Sequence, residues 1–173
     1  MLTLIGMPGS GKSAVGAELA RMLGTGFADS DAEIVKAAGM SITDIFARDG
    51  EAFFRERESE VLARLLSGEP KVLAVGGGAW IQPANRALIR EAGVAVWLDV
   101  PLETLWTRVA HRTHRPLLAT DDPRATLEAT LAARRPVYAE ADVCVGVSPT
   151  ASVETTARTV MRAIAAARPE VLA

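Results

Sequence analysis

The sequence predicts an α/β fold, a parallel five-stranded sheet with helices on both faces. Three observations carry that prediction. Short runs rich in Val, Leu and Ile alternate with longer stretches whose apolar residues recur at helical spacing, the pattern of repeated strand–helix–strand units. Five such runs occur, at residues 2–5, 27–28, 72–75, 94–98 and 143–147. A glycine-rich stretch ending in Gly11-Lys12-Ser13 stands between the first run and the first amphipathic stretch, the junction at which a P-loop is found in this class of fold.

The elements follow in order. Leu2-Thr3-Leu4-Ile5 is a strand, and residues 13–23 form the first helix. Phe27-Ala28 leads into Asp29-Ser30-Asp31, and a helix runs from about residue 32 to 38. Ser41 has the chemistry of a helix cap, and a long helix covers residues 51–66. Val72-Leu73-Ala74-Val75 is a buried strand, and Pro83 opens a helix over 83–91. A strand at 94–98 and a helix at 102–110 come next, then a polar stretch, 111–123, expected to be a mobile loop. Helix resumes over 124–134, and a last strand at 143–147 precedes a closing helix at 153–166. No repeat, low-complexity segment or interdomain linker interrupts the series. We therefore expect one domain over residues 1–173.

Composition narrows the partners. The chain is 173 residues long with 49% apolar residues and a net charge of −2, so no basic field favours nucleic acid or a membrane surface. No apolar run reaches membrane-spanning length. The strand that begins at Leu2 leaves no room for a signal peptide, and one cysteine cannot form an internal disulfide, so a cytoplasmic location is expected. Cys144, between Val143 and Val145, reads as a buried strand thiol.

Gly6-Met7-Pro8-Gly9-Ser10-Gly11-Lys12-Ser13 fits G-x-x-x-x-G-K-[ST] in the strand-to-helix context that the pattern requires. Glycines let backbone N–H groups converge on phosphate oxygens, and the helix start adds its positive dipole end. The nucleotide is expected to lie against Gly9, Ser10, Gly11, Lys12, Ser13 and Ala14, with Lys12 reaching the β- and γ-phosphates and Ser13 a Mg²⁺ ion. These residues predict binding of a nucleoside triphosphate.

The metal's second protein group is less obvious. An apolar strand such as 72–75 often ends in an acid, but this one ends in Gly76-Gly77-Gly78. Asp29 is the better candidate for the outer shell, and Asp31, two residues on, can face an acceptor hydroxyl. A helix cap by Asp29 or Ser30 explains one of these residues but not the acid pair. Three consecutive glycines weaken a turn that needs only one, which points to a ligand packed close on bare backbone whose N–H groups face it.

Taken together, Gly6 to Ser13, Asp29-Ser30-Asp31, Phe54-Arg55, Gly76-Gly77-Gly78, Arg115-Pro116-Leu117-Leu118 and Arg134-Arg135-Pro136-Val137-Tyr138 resemble shikimate kinase, in order and at similar spacings over residues 2–166. The resemblance implies a P-loop kinase fold like that of nucleoside monophosphate kinases, with acceptor-binding helices over about 31–66 and a lid over about 111–123. It implies transfer of the γ-phosphoryl of ATP, with Mg²⁺, to the 3-hydroxyl of shikimate. By the same match, Arg55 and Arg134 hold the acceptor carboxylate, Asp31 its hydroxyls, and Gly76, Gly77 and Gly78 line its seat. Planar guanidiniums suit a carboxylate better than ammonium groups do. Arg115 would be the lid arginine that acts catalytically with Lys12 and Asp31, while Arg108 and Pro149 would flank the adenine.

Secondary residues have two readings each. Ile42, Phe46 and Phe54 match apolar pocket positions, but their spacing also suits ordinary core packing. Glu58 stands one turn after Arg55 and either holds that guanidinium or forms a solvated surface pair. Trp80 departs from the family pattern, either covering the pocket edge or packing below the following helix. Alternatives for the whole chain are another small-molecule kinase, of gluconate or nucleoside monophosphate type, or a nucleotide-operated switch. The N-K-x-D and D-x-x-G motifs expected of a GTP switch do not occur.

Overall fold

The computed structural model describes residues 1–69, 71–110 and 119–171. Its strands are β1 (Leu2–Ile5), β2 (Gly26–Asp29), β3 (Lys71–Ala74), β4 (Val94–Asp99) and β5 (Val143–Gly146). They form one sheet in the order β2-β3-β1-β4-β5, with every neighbouring pair parallel. The connecting helices are α1 (Lys12–Leu23), α2 (Ser30–Ala38), α3 (Ile42–Leu66), α4 (Pro83–Ala92), α5 (Leu102–Val109), α6 (Pro123–Tyr138) and α7 (Val153–Ala167). A single turn of 3₁₀ helix, Ala79–Ile81, follows the three glycines.

The three central strands are buried because they are apolar on both faces: Leu2, Leu4, Ile5, Val72, Leu73, Val94 and Val96 are each at most 4% exposed. α1 packs on β3 and α7, while α4 packs on β4, α3 and the 3₁₀ turn. A smaller apolar cluster of Ile34, Ile45 and Phe54, with Ile42 and Phe46 against it, joins α2 to α3. The Phe46 and Phe54 ring centroids are 4.7 Å apart, so these residues do pack as a core.

Register positions the functional loops. Leu4 of β1 and Asp29 of β2 both pair with Ala74 of β3, so three carboxyl ends finish side by side. The loops 6–11 and 75–78 and the start of α2, residues 30–31, leave them at the edge where ligands of parallel α/β sheets bind.

Three local features differ from expectation. α3 starts at the Ser41 cap and runs on to Leu66 across a break at Gly50, whose φ of 82° and ψ of 173° only glycine adopts without strain. α6 does not stop near Arg134 but continues through Pro136 to Tyr138. Cys144 is exposed rather than buried, because β5 is an edge strand whose residues alternate inward and outward. Among the described residues no helix is long and apolar enough to cross a membrane.

Candidate active site

The loop after β1 folds as its glycines demand. Gly9 and Gly11 have φ of 85° and 91°, and a Cβ on Gly9 would also strike Val109 Cγ1 at 2.6 Å. Lys12 Nζ lies within the loop's own concavity, donating to Gly6 O at 3.0 Å, Met7 O at 2.9 Å and Ser10 Oγ at 3.3 Å. A cleft of about 440 Å³ opens over the loop, lined by residues 8–15, Asp29, Asp31, Val75 and Gly77, and by Arg108, Val147, Ala151, Val153 and Thr156. The expected nucleotide residues Gly9, Ser10, Gly11, Lys12, Ser13 and Ala14 therefore all face one space.

Asp29 divides its two oxygens. Oδ1 caps α2, accepting from Asp31 N at 3.0 Å and Ala32 N at 3.3 Å. Oδ2 accepts a short hydrogen bond from Ser13 Oγ. The cap and the pairing with Ser13 are thus both real. A hydroxyl and a carboxylate together at a phosphate loop are hard oxygen donors suited to Mg²⁺, which takes few protein ligands and draws the rest from phosphate and water. Among the described residues no group of three or more metal-binding side chains occurs, as that mode of binding allows.

The three glycines make room for protein groups. A Cβ on Gly76 would lie 2.6 Å from Asp31 Oδ1 and 2.8 Å from Glu58 Oε1. On Gly77 it would lie 2.8 Å from Pro8 Cδ, and on Gly78 2.6 Å from Arg55 Nη2. The amide of Gly76 is not free for a ligand, since it donates to the buried Ser30 Oγ at 3.1 Å. Ser30, the middle residue of the Asp-Ser-Asp stretch, is thus a structural pin rather than the helix cap that the sequence also allowed; the cap is Asp29.

Glu58 is 1% exposed, and its Oε2 accepts from Arg55 Nη1 at 2.7 Å, so the surface-pair reading falls. Burial pushes its carboxyl above the ordinary range; Arg55 and Arg134 oppose that rise and Asp31 adds to it. Burial acts against the Arg55 cation as well, but Glu58 and Glu51 outweigh it and hold the guanidinium firmly charged. Arg134 is close enough to both Glu58 and the Tyr138 phenol to favour their ionised forms. Arg135 turns elsewhere, to Asp99 at 2.9 Å and over the Trp97 ring, so of the pair it is Arg134 that lies near Glu58 and Tyr138.

Trp80 is wholly buried, donating Nε1 to Val137 O at 2.8 Å, with Arg90 lying over its ring, so it packs beneath α6 rather than at the pocket rim. Arg108 reaches Gly9 O at 3.2 Å and lines the cleft. Pro149 is exposed and does not line it, although its neighbours Val147 and Ala151 do. Arg115 and most of the expected lid, residues 111–118, lie outside the described residues. The sequence reading missed Val147, Ala151, Val153 and Thr156; their place after the last strand of a parallel sheet was the available signal.

A cleft with phosphate-binding backbone at one end, and paired carboxylates and guanidiniums beside it, belongs to a P-loop phosphotransferase acting on a small anionic acceptor. Comparison with known proteins narrows that class. The family model of shikimate kinase matches residues 8–165. Shikimate kinase of Ruegeria pomeroyi is 56% identical over 164 residues, which cover 95% of this chain and 84% of that one. Shikimate kinase of Cereibacter sphaeroides is also 56% identical, over 171 residues covering 99% and 85%. Among solved structures, shikimate kinase from Acinetobacter baumannii in complex with shikimate superposes with a TM-score of 0.93 at 36% identity, covering 96% of this chain and 93% of that one. The chain belongs to the shikimate kinase family.

Proposed function

We propose that the chain divides the family's reaction, transfer of the γ-phosphoryl of ATP to the 3-hydroxyl of shikimate, among the following residues. Residues 9–14 and Lys12 bind the nucleotide phosphates, and Arg108 buttresses that loop from its carbonyl side. Ser13 and Asp29 hold Mg²⁺, which supplies neutralisation of charge on the phosphoryl oxygens. Asp31 faces the acceptor hydroxyl from beside Gly76, to orient it and take up its proton. Arg55 and Arg134 bind the acceptor carboxylate. The observation that carries the reading is that Arg55, Arg134 and Asp31 all bear on one buried carboxylate, Glu58, next to the cleft. Gly76 leaves the space that Asp31 and Glu58 occupy, Gly78 that of Arg55, and Gly77 lets Pro8 of the phosphate loop pack close. Arg115 and Pro149 keep the lid and adenine roles that the family pattern implies.

The same reading has one kinase domain, with acceptor helices over about 31–66 and a lid over about 111–123, working as a cytoplasmic monomer without nucleic-acid or membrane partners. A net charge of −2 supports it. ADP release with and without shikimate tests the activity, and acceptor-dependent turnover is expected. Hydrolysis indifferent to shikimate would sink the kinase reading. Arg134→Ala should weaken use of shikimate by about 2–5 kcal/mol, the usual loss when a buried charge partner is stranded, with ATP affinity retained. Equal loss of ATP affinity would overturn the division of the site.

A further inference from the structure

Pro136 removes a backbone donor from α6 two residues past Arg134, where the acceptor site most needs the helix fixed. Two side chains supply that fixation, in opposite directions between the same two elements. Tyr138, on α6, donates its phenol to Gly77 O at 2.5 Å; Trp80, just after the glycines, donates its indole to Val137 O at 2.8 Å. Both residues are wholly buried, and the tyrosine ring stacks on Trp97 of β4 with centroids 5.9 Å apart. Gly77 is pinned from its other side by Pro8, and the phenol lies 3.8 Å from Met7 Sδ. Contact therefore runs unbroken from the phosphate loop through Gly77 and Tyr138 to Arg134, one helical turn back.

We propose that Tyr138 and Trp80 form a reciprocal clasp that makes both of them positioning residues for Arg134. The clasp sets the rotation of α6, and with it the seat of the acceptor carboxylate relative to the phosphate loop. Successive residues of a helix point about 100° apart, and the next residue, Arg135, faces Asp99 and Trp97. A small rotation of an unclasped final turn would carry the Arg134 guanidinium out of the site without unfolding anything. The inference rests on the assignment of Arg134 to the acceptor carboxylate, and its test separates the two.

Tyr138→Phe and Trp80→Phe each delete one bond and keep a ring in place. Either substitution should raise KM for shikimate about tenfold, the equivalent of one well-placed hydrogen bond, with KM for ATP within about twofold of the parent. In an Arg134→Ala background Tyr138→Phe should add nothing further to KM for shikimate, because the residue it positions is gone. A lowered Tm with both KM values unchanged would make the two bonds ordinary core contacts and overturn the clasp. So would a full additive effect on top of Arg134→Ala. If Arg134→Ala raises KM for shikimate and neither ring variant does, the clasp alone fails; if Arg134→Ala leaves it unchanged, the assignment of the arginine fails and takes the clasp with it.

Discussion

Tyr138 is the sole tyrosine of the chain, so its ionisation can be read without interference. Burial pushes its phenol above the ordinary value of 10.0, and the neighbouring Arg134 cation pulls part of the way back. Tyrosinate absorbance during an alkaline titration should therefore rise later than for a free phenol, and later still in Arg134→Ala. A midpoint at the ordinary value would mean that the phenol is neither buried nor bonded to Gly77 as described. At this scale residue type singled out Lys12, Ser13 and Asp29, which the structure brings together at the phosphate loop, while Arg55 and Arg134 were picked out by the family pattern and lie beside Glu58. The sequence was illegible where burial decides. Spacing of one helical turn between Arg55 and Glu58 is the same on a wet face as on a dry one, and only the packed structure shows Glu58 at 1% exposure with Oε1 against Gly76.

Elements whose cause is local were read correctly: the apolar strands, the helix opened by Pro83 and the helix start at Ser41. Elements whose cause is distant were not. The last turn of α6 continues past Pro136 with Val137 and Tyr138 bonded to the 76–81 turn, and no local pattern announces partners some sixty residues away. The three glycines show the same limit. Their need for open space was evident from sequence, but the occupants come from Asp31, Glu58, Pro8 and Arg55. Gly78→Ala tests this. Its Cβ would press on the Arg55 guanidinium at 2.6–2.7 Å, closer than real contacts allow, and the guanidinium is held by Glu58 and Glu51. We expect a loss in kcat/KM for shikimate of at least about tenfold with unchanged ATP affinity, since one displaced charge-assisted hydrogen bond is worth roughly 1.5–3 kcal/mol. Near-normal kinetics would show that Arg55 is free to move and is not the carboxylate's fixed partner.

Over the whole molecule, burying Glu58 beside the cleft is expected to cost stability once its carboxyl is ionised. Folding moves Glu58 from water into an interior where Arg55 and Arg134, with Asp31 opposing them, do not fully offset its desolvation, so its carboxyl binds a proton more tightly folded than unfolded. The unfolded chain releases that proton near the ordinary value of 4.5, and the folded protein releases it at higher pH. The stabilisation from the protonated form is thus complete below 4.5 and is lost as pH rises through the folded value. Glu58→Gln has no such proton to release. The unfolding free energy of the parent minus that of Glu58→Gln, from urea titrations at a series of pH values, should therefore fall as pH rises past the ordinary value of 4.5 and level off once the folded protein has released the proton as well. A difference that grows with pH would mean that the Arg55 pairing outweighs burial. In that case Glu58 would be a net stabiliser of the fold, and the arginine it holds would be anchored without any cost to the protein's stability.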